Sequence, residues 1–222
     1  MLAPSPPLIR RRRIATAALA GAIVTWAPHV RAEERAEGEV AIKESPIRSL
    51  DLAQLQYGVA IAAEIPAFAG PICDSPAPCI LGAGGGLAIR IGLRATKSVY
   101  AGIAYELSKQ DSSKLFRLAI FQQARFESRF YVHTAQNIEP FAVVNLGIAG
   151  YGNEWGISTW GPVAGVGFGA EIQASRSTVF GIVLNYRAVR LNSFTDTSGT
   201  ARDAGIAHLV GFEISIEGRD SI

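Results

Sequence analysis

The amino-acid sequence predicts an all-β fold in which eight antiparallel strands run up and down around a closed barrel. Three observations lead to this prediction: eight segments alternate apolar with small or polar residues, long and short connections separate them, and an export signal precedes them. Alternation with a period of two is typical of a strand with one apolar face, because successive side chains point to opposite sides.

The first 32 residues have the three regions of a secretory signal peptide. The basic residues 10–13 precede the short apolar run 14–26, and Val30 and Ala32 supply the small residues expected just before a cleavage site. We therefore expect export, cleavage near Ala32 and a mature chain that lies beyond the inner membrane. An amphipathic N-terminal helix is the alternative interpretation of this segment.

The remaining chain divides into a lead-in and one domain. Residues 33–50 are charged, lack periodicity and contain Pro46, which predicts a flexible periplasmic lead-in. Residues 51–217 then form the predicted barrel. The apolar run 14–26 is too short for a spanning helix, and no later stretch approaches the roughly 20 apolar residues that such a helix needs.

Each predicted strand is justified by its own alternation. In the second strand, Leu87, Ile89 and Ile91 alternate with Ala88 and Arg90, and the other strands repeat this pattern. Strand lengths of roughly 9–11 residues or a little more suit strands that cross a membrane at a tilt. The predicted strands cover about residues 52–64, 84–94, 99–108, 115–132, 140–151, 163–174, 179–190 and 205–216.

The composition of the less apolar face decides how the strands are oriented. Alternation by itself fits a soluble sheet as well as a membrane barrel, but here the second face carries Gly and Ala with sparse Arg, Glu, Gln and Asn. Small residues suit the crowded interior of an eight-stranded barrel. The long connections after strands one, five and seven and the tight ones after two and six also fit outward loops and periplasmic turns. We therefore expect a transmembrane barrel with aliphatic side chains facing lipid.

The charged residues on the inner face form a predicted lumen charge network. We expect Glu106 to pair with Arg117 across the third and fourth strands, near the outer mouth. Such pairs can simply satisfy buried polarity and fill the barrel, or they can gate a narrow pore by exchanging partners. The predicted set is Glu64, Arg90, Arg94, Glu106, Arg117, Arg125, Glu127, Arg129, Glu171, Arg187 and Glu213.

Cys73 and Cys79 are expected to form a disulfide, because an exported protein meets an oxidising compartment. A ring this small stabilises the fold by roughly 2 kcal/mol on the loop-entropy model. No metal site is expected, since two cysteines without nearby histidines supply too few ligands. The glycine run at residues 82–86 lacks the spacing of a phosphate-binding loop, and we expect no cofactor.

The alternation, the export signal and the loop asymmetry together resemble the small eight-stranded outer-membrane barrels typified by the OmpA transmembrane domain and OmpX, with OmpW as an architectural relative. The resemblance implies a porin-like protein of the Gram-negative envelope with a structural or narrow-pore role. It also implies contact with outer-membrane lipid and lipopolysaccharide, and insertion by the barrel assembly machinery; the oligomeric state stays open. Two features depart from that pattern: the last strand lacks a terminal aromatic residue, and Gln122 falls on the predicted lipid face.

Two alternative functions would place different demands on the sequence. A barrel enzyme that modifies outer-leaflet lipid would need a histidine near a nucleophile; His208 lies near the outer rim with Ser193 and Ser198 in the preceding loop, whereas His133 lies in a periplasmic turn. A soluble, exported lipid-binding barrel would need the apolar face inside. Nucleic acid is not an expected partner, because the net charge is only +2 and the basic residues are scattered.

Overall fold

A computed structural model describes residues 53–73, 79–111, 113, 116–134 and 137–222 of the chain. The predicted signal peptide and lead-in, residues 1–50, lie outside the described residues. Within the described ranges, no helix is both long and apolar enough to cross a membrane.

The described residues form eight long strands, one short hairpin and one turn of 3-10 helix. The long strands are β1 (Gln54–Phe68), β2 (Gly84–Arg94), β3 (Val99–Gln110), β4 (Ala119–Tyr131), β5 (Ile138–Asn153), β6 (Thr159–Gln173), β7 (Thr178–Leu191) and β10 (Gly205–Ser221). The hairpin consists of β8 (Phe194–Thr195) and β9 (Ala201–Arg202), between β7 and β10, and the 3-10 helix is Gly70–Cys73.

The eight long strands close into one antiparallel barrel. Each pairs with its neighbours in the chain, and β1 also pairs with β10, so the spatial order is β1-β10-β7-β6-β5-β4-β3-β2. Near the middle of β1, Ile61 lies opposite Leu87 of β2 and Ile214 of β10. The predicted all-β, eight-stranded up-and-down fold is therefore confirmed.

The side chains alternate between the inside and the outside of the barrel. In β2, the side chains of Leu87 and Ile89 are 65% and 58% exposed, whereas Arg90, between Ile89 and Ile91, is 4% exposed. The burial patterns of the other long strands alternate in the same way. The aliphatic face is therefore the outer face of the barrel, as predicted, and the charged face lines the interior.

The two ends of the barrel differ in their connections. The connections after β1, β3, β5 and β7 emerge at one end, which we call the loop end. The connections after β2, β4 and β6 emerge at the other end, the turn end. Residues 95–98 and 174–177 are the two tightest of the turns, in keeping with their prediction from the sequence.

The register between β3 and β4 differs from the prediction. β3 continues to Gln110, so Lys109 lies within a strand, and β4 begins at Ala119 instead of near residue 115. Glu106 therefore lies opposite Gln123, and Arg117 precedes the strand. The predicted cross-strand pair of Glu106 with Arg117 is wrong, because the connection between the strands is longer than a tight polar loop and shifts the pairing.

Gln122 keeps its outward position without a break in register. It lies opposite Leu107 of β3 and Gly150 of β5, and its side chain is partly exposed on the outer face. The hydroxyl of Tyr105 donates a hydrogen bond of 2.9 Å to Oε1 of Gln122. This bond offsets part of the cost of an amide on an apolar surface.

We expect Ile61→Arg to destabilise the barrel in a lipid bilayer. Ile61 is 68% exposed near the middle of β1, where an arginine on a lipid-facing surface costs about 2–4 kcal/mol. Val132→Arg is the matched control, because Val132 is also exposed but lies just beyond β4 at the turn end, where the cost is about 0–1 kcal/mol. Denaturant unfolding in liposomes measures both. Equal stability of the two variants would instead indicate an outer surface in water.

Candidate functional site

The interior of the barrel has two parts along its length. The turn end and the middle are filled by a charged column, which we define as Glu64, Arg90, Glu106, Arg125, Glu127, Arg129, Glu171, Arg187, Glu213 and Glu217. The loop end is filled by an apolar plug, which we define as Ile72, Ile80 and Leu81 from the β1–β2 connection. All of these side chains are buried.

The part of the charged column nearest the loop end converges on Arg187 of β7. Its Nη1 lies 2.6 Å from Oε1 of Glu64 and 2.9 Å from Oε2 of Glu106, and its Nη2 bonds to Glu213. Arg125 shares Glu106, at 2.7 Å. Glu106 belongs to β3, which is not a neighbour of β7 in the barrel, so this cluster ties strands together across the lumen.

The middle of the charged column repeats the same arrangement with other strands. Arg90 of β2 bonds to Glu213 and lies 3.0 Å from Oε1 of Glu217, both on β10. Arg129 of β4 lies 2.7 Å from Glu171 of β6 and 3.1 Å from Glu217. Because one guanidinium has donors in several directions, each arginine can hold carboxylates from two or more strands at once.

At the turn end, the charged column meets partly exposed groups. Nη1 of Arg94 lies 2.9 Å from Glu139, and the guanidinium of Arg94 stacks 4.0 Å from the ring centroid of Tyr131. The Tyr131 hydroxyl donates a 2.8 Å hydrogen bond to Glu171, which also bonds to Arg219. The side chain of Glu139 is 28% exposed, so the column is closest to solvent at this end.

Glycines on the inner face make the space that these side chains occupy. A Cβ at Gly165 of β6 would lie 2.7 Å from Oδ1 of Asn145 and 2.9 Å from Cγ of Arg187. At Gly169 it would lie 2.7 Å from the ring of Phe141. These positions need glycine because a neighbouring large side chain already fills the volume, which is why the inner face is so rich in small residues.

The apolar plug closes the loop end from within. Ile72 and Ile80 are fully buried, and they pack in one cluster with barrel side chains that include Phe121, Tyr151 and Leu209. The Tyr151 hydroxyl donates a hydrogen bond to the carbonyl oxygen of Ile80. The inward-facing side chains around the plug are therefore mainly apolar, whereas toward the turn end the charged column lies beside a second buried cluster that includes Tyr100, Tyr131 and Phe141.

A disulfide and an ion pair hold the plug in place. Cys73 and Cys79 are bonded, as predicted, and each lies next to a plug isoleucine in the chain, Cys73 after Ile72 and Cys79 before Ile80. Nη1 of Arg202, in the β8–β9 hairpin, donates a 3.2 Å hydrogen bond to the carbonyl oxygen of Ile72. Arg202 is itself held by Asp196 at 2.8 Å. Burial raises the pKa of Asp196, but hydrogen bonds from Ser198 and Arg202 outweigh it and hold that pKa below its usual range.

The structure brings together the predicted network residues except Arg117. Arg117 lies at the loop end on the surface, where its side chain is 87% exposed and 3.4 Å from Glu154. Glu106 instead pairs with Arg125 and Arg187. The buried residues of the predicted set are Glu64, Arg90, Arg94, Glu106, Arg125, Glu127, Arg129, Glu171, Arg187 and Glu213.

Sequence reasoning missed several members of the interior. Glu217 and Arg219 lie beyond the predicted end of the last strand near residue 216, whereas β10 continues to Ser221. Both continue the inward parity of Glu213, so that signal was present in the sequence. The plug was missed because inward packing of a connection depends on contacts with distant strands; the only local signal was the apolar residues beside each cysteine.

The two histidines of the barrel lie at opposite ends. His133 follows β4 at the turn end, and its Nε2 lies 3.1 Å from Oγ of Ser98. His208 lies on the outer face of β10 near the loop end, where its ring stacks on Tyr186 and its Nδ1 is hydrogen-bonded to the Tyr186 hydroxyl. Ser198 is hydrogen-bonded to Asp196.

This geometry defines a closed eight-stranded, up-and-down barrel of the kind found in small outer-membrane proteins. Among solved structures it is similar to Neisserial surface protein A, with a TM-score of 0.51 and 13% identity over 75% of this chain and 96% of that one. It is also similar to the outer membrane protein OprG from Pseudomonas aeruginosa, with a TM-score of 0.50 and 11% identity over 79% and 100%. At these identities the likeness establishes the fold alone. No protein-family model matches the sequence, and a search of curated proteins gives no significant match.

We expect Arg187→Met to destabilise the barrel strongly. The change leaves the carboxylates of Glu64, Glu106 and Glu213 with one partner fewer in a buried site, and removal of one member of a buried ion pair costs about 3–5 kcal/mol. Arg117→Met is the control, because it breaks only an exposed pair of small net effect. Denaturant unfolding in lipid gives both free energies. A loss that is no greater for Arg187 than for Arg117 would contradict a bracing role for the column.

Proposed function

We propose that this protein is an integral protein of the outer membrane whose barrel is a closed structural wall and not an open channel. The observation that carries the proposal is that the lumen is occupied over its length, by the charged column at the turn end and in the middle and by the apolar plug at the loop end. The expected signal peptide and the aliphatic outer face support the location, since a closed barrel is one of the two ways in which a backbone can cross lipid.

In this proposal the charged column acts as an internal brace. Each arginine donates to carboxylates on separate strands, so relative movement of the strands would break charge-assisted hydrogen bonds in a buried site. Arg187 alone links residues of β1, β3 and β10 to β7. A wall held in this way keeps its shape while its loops face the exterior.

The expected partners follow from the same arrangement. The aliphatic face contacts outer-membrane lipid and lipopolysaccharide, and the chain is inserted by the barrel assembly machinery. We infer that the protein is not an enzyme and uses no cofactor. His133 lies at the turn end beside Ser98, and the neighbour of His208 is a tyrosine instead of an activated serine.

A narrow pore is the second candidate function, and one observation favours it. Among the described residues, Oε1 of Glu106, Nη2 of Arg125 and Oε2 of Glu127 are buried without a hydrogen-bond partner. Groups that do not use all of their hydrogen-bonding capacity can exchange partners, which is the property that a gate of ion pairs would need. The apolar plug would also have to move before ions could pass.

Current recorded across planar bilayers distinguishes the two functions. We expect the inserted wild-type protein to show no resolved current steps, because both parts of the lumen are filled, and we expect Glu106→Ala to leave that result unchanged. A heat-dependent shift in gel mobility shows that each sample contains a closed barrel. Resolved steps in the wild type that Glu106→Ala alters would overturn the structural role and favour the gated pore.

A further inference from the structure

One guanidinium interrupts the aliphatic outer face at the loop end of the barrel. Arg190 is the second-last residue of β7, and it is exposed, whereas its neighbours Val189 and Leu191 are buried on the inner face. Its side chain makes no ion pair with any residue in the described part of the chain. An arginine at the edge of a lipid-facing surface extends its guanidinium into the headgroup region, where an anion or water can meet it.

An apolar groove lies directly beside this cation. The groove has a volume of about 270 Å³ and crosses β5, β6, β7 and β10 on the outer face. Its floor is low because Ala164 of β6 lies opposite Ala188 of β7, whereas larger side chains form its sides. The residues that line the groove include Leu146, Pro162, Ala164, Ala188, Arg190 and Ile206. A groove of this shape accommodates part of an extended acyl chain.

A second hydrogen-bond donor lies next to the cation on the same face. Arg190 lies opposite Ile206 of β10, and His208 is two residues further along that strand. His208 is therefore a diagonal neighbour of Arg190, and diagonal neighbours on adjacent strands are separated by roughly 7–8 Å between their backbones. The Tyr186 hydroxyl is hydrogen-bonded to Nδ1 of His208 and the two rings stack. In the tautomer that carries its proton on Nε2, the imidazole accepts from the Tyr186 hydroxyl through Nδ1 and can donate to a ligand through Nε2.

We propose that Arg190, His208 and this groove form a binding site for one phosphate-bearing lipid. The guanidinium donates, as does the imidazole in its Nε2-protonated tautomer, so the two groups fit an anion with several acceptor oxygens, and a guanidinium matches phosphate with two parallel hydrogen bonds. The acyl chain lies in the groove over Ala164 and Ala188. This inference rests on the proposed function, in which the loop end lies at the headgroups of the outer leaflet.

Counting of bound lipids by native mass spectrometry tests the site. The full mature chain, in a non-ionic detergent, is mixed with dimyristoyl phosphatidic acid, with dimyristoyl phosphatidylcholine or with inorganic phosphate. We expect one phosphatidic acid to bind with about tenfold or greater preference over phosphatidylcholine, and Arg190→Ala to weaken it about tenfold or more. Arg190→Lys should retain part of the affinity, and His208→Gln should lose less than Arg190→Ala.

Arg117→Ala is the matched control, because Arg117 is also an exposed arginine at the loop end but is paired with Glu154. It should bind phosphatidic acid like the wild type. Unchanged binding by Arg190→Ala, equal retention of the two lipids, or full competition by inorganic phosphate would each overturn the site. Flotation with liposomes is measured on the same samples: failure of the wild type to insert refutes the proposed function, whereas insertion without selective lipid binding refutes only the site.

Discussion

The pairing of β1 with β10 is the interaction on which the rest of the structure depends. It runs along β1 from Gln54, opposite Ser221, to Phe68, opposite His208, with one irregularity near Pro66. Without it, two strands would present unpaired N–H and C=O groups, each of which costs several kcal/mol in hydrocarbon. Closure also gives every strand an inside and an outside, so that alternation along the sequence becomes a division between lipid and lumen.

The ion pairs of the lumen are a consequence of that closure. Burial of isolated charges is strongly unfavourable, and pairing offsets it only where the geometry supplies further hydrogen bonds. In this barrel, Arg90 of β2 and Arg187 of β7 both bond to Glu213 of β10, and their strands lie on the two sides of β10. Arg129 pairs with Glu171 and Glu217. The partners lie on different strands, so closure of the barrel brings the charged groups together. The ion pairs in turn stabilise the closed barrel. The apolar plug completes this arrangement at the loop end.

The fold was predictable because its main signal is local. The parity of Leu87, Ile89 and Ile91 follows from the geometry of a single strand, and it distinguishes the two faces without any knowledge of neighbouring strands. The glycines of β6 on the other face already indicated a crowded interior, and the structure shows which side chains they accommodate.

The parts that the sequence did not predict depend on contacts between distant residues. To predict the pairing of Glu106 with Arg125, one must know the length of the β3–β4 connection, which residue types alone do not determine. Inward packing of Ile72 and Ile80 depends on contacts with barrel strands that are distant in the chain, since Tyr151 and Leu209 lie more than 70 residues away. Glu217 lies outside the prediction for a simpler reason, because the polar residues after Ile216 resemble the end of a strand that in fact continues to Ser221.

The orientation of the aliphatic face is the central claim, and collision rates of spin labels measure it directly. Labels at Ile89 and Ile214, introduced one at a time through cysteine, are compared in liposomes with a label at Trp155 in the exposed β5–β6 loop. The structure predicts that the two strand labels collide frequently with apolar oxygen and rarely with a water-soluble nickel complex, while the loop label does the opposite. Frequent collision of the nickel complex with the labels at Ile89 and Ile214 would contradict the account.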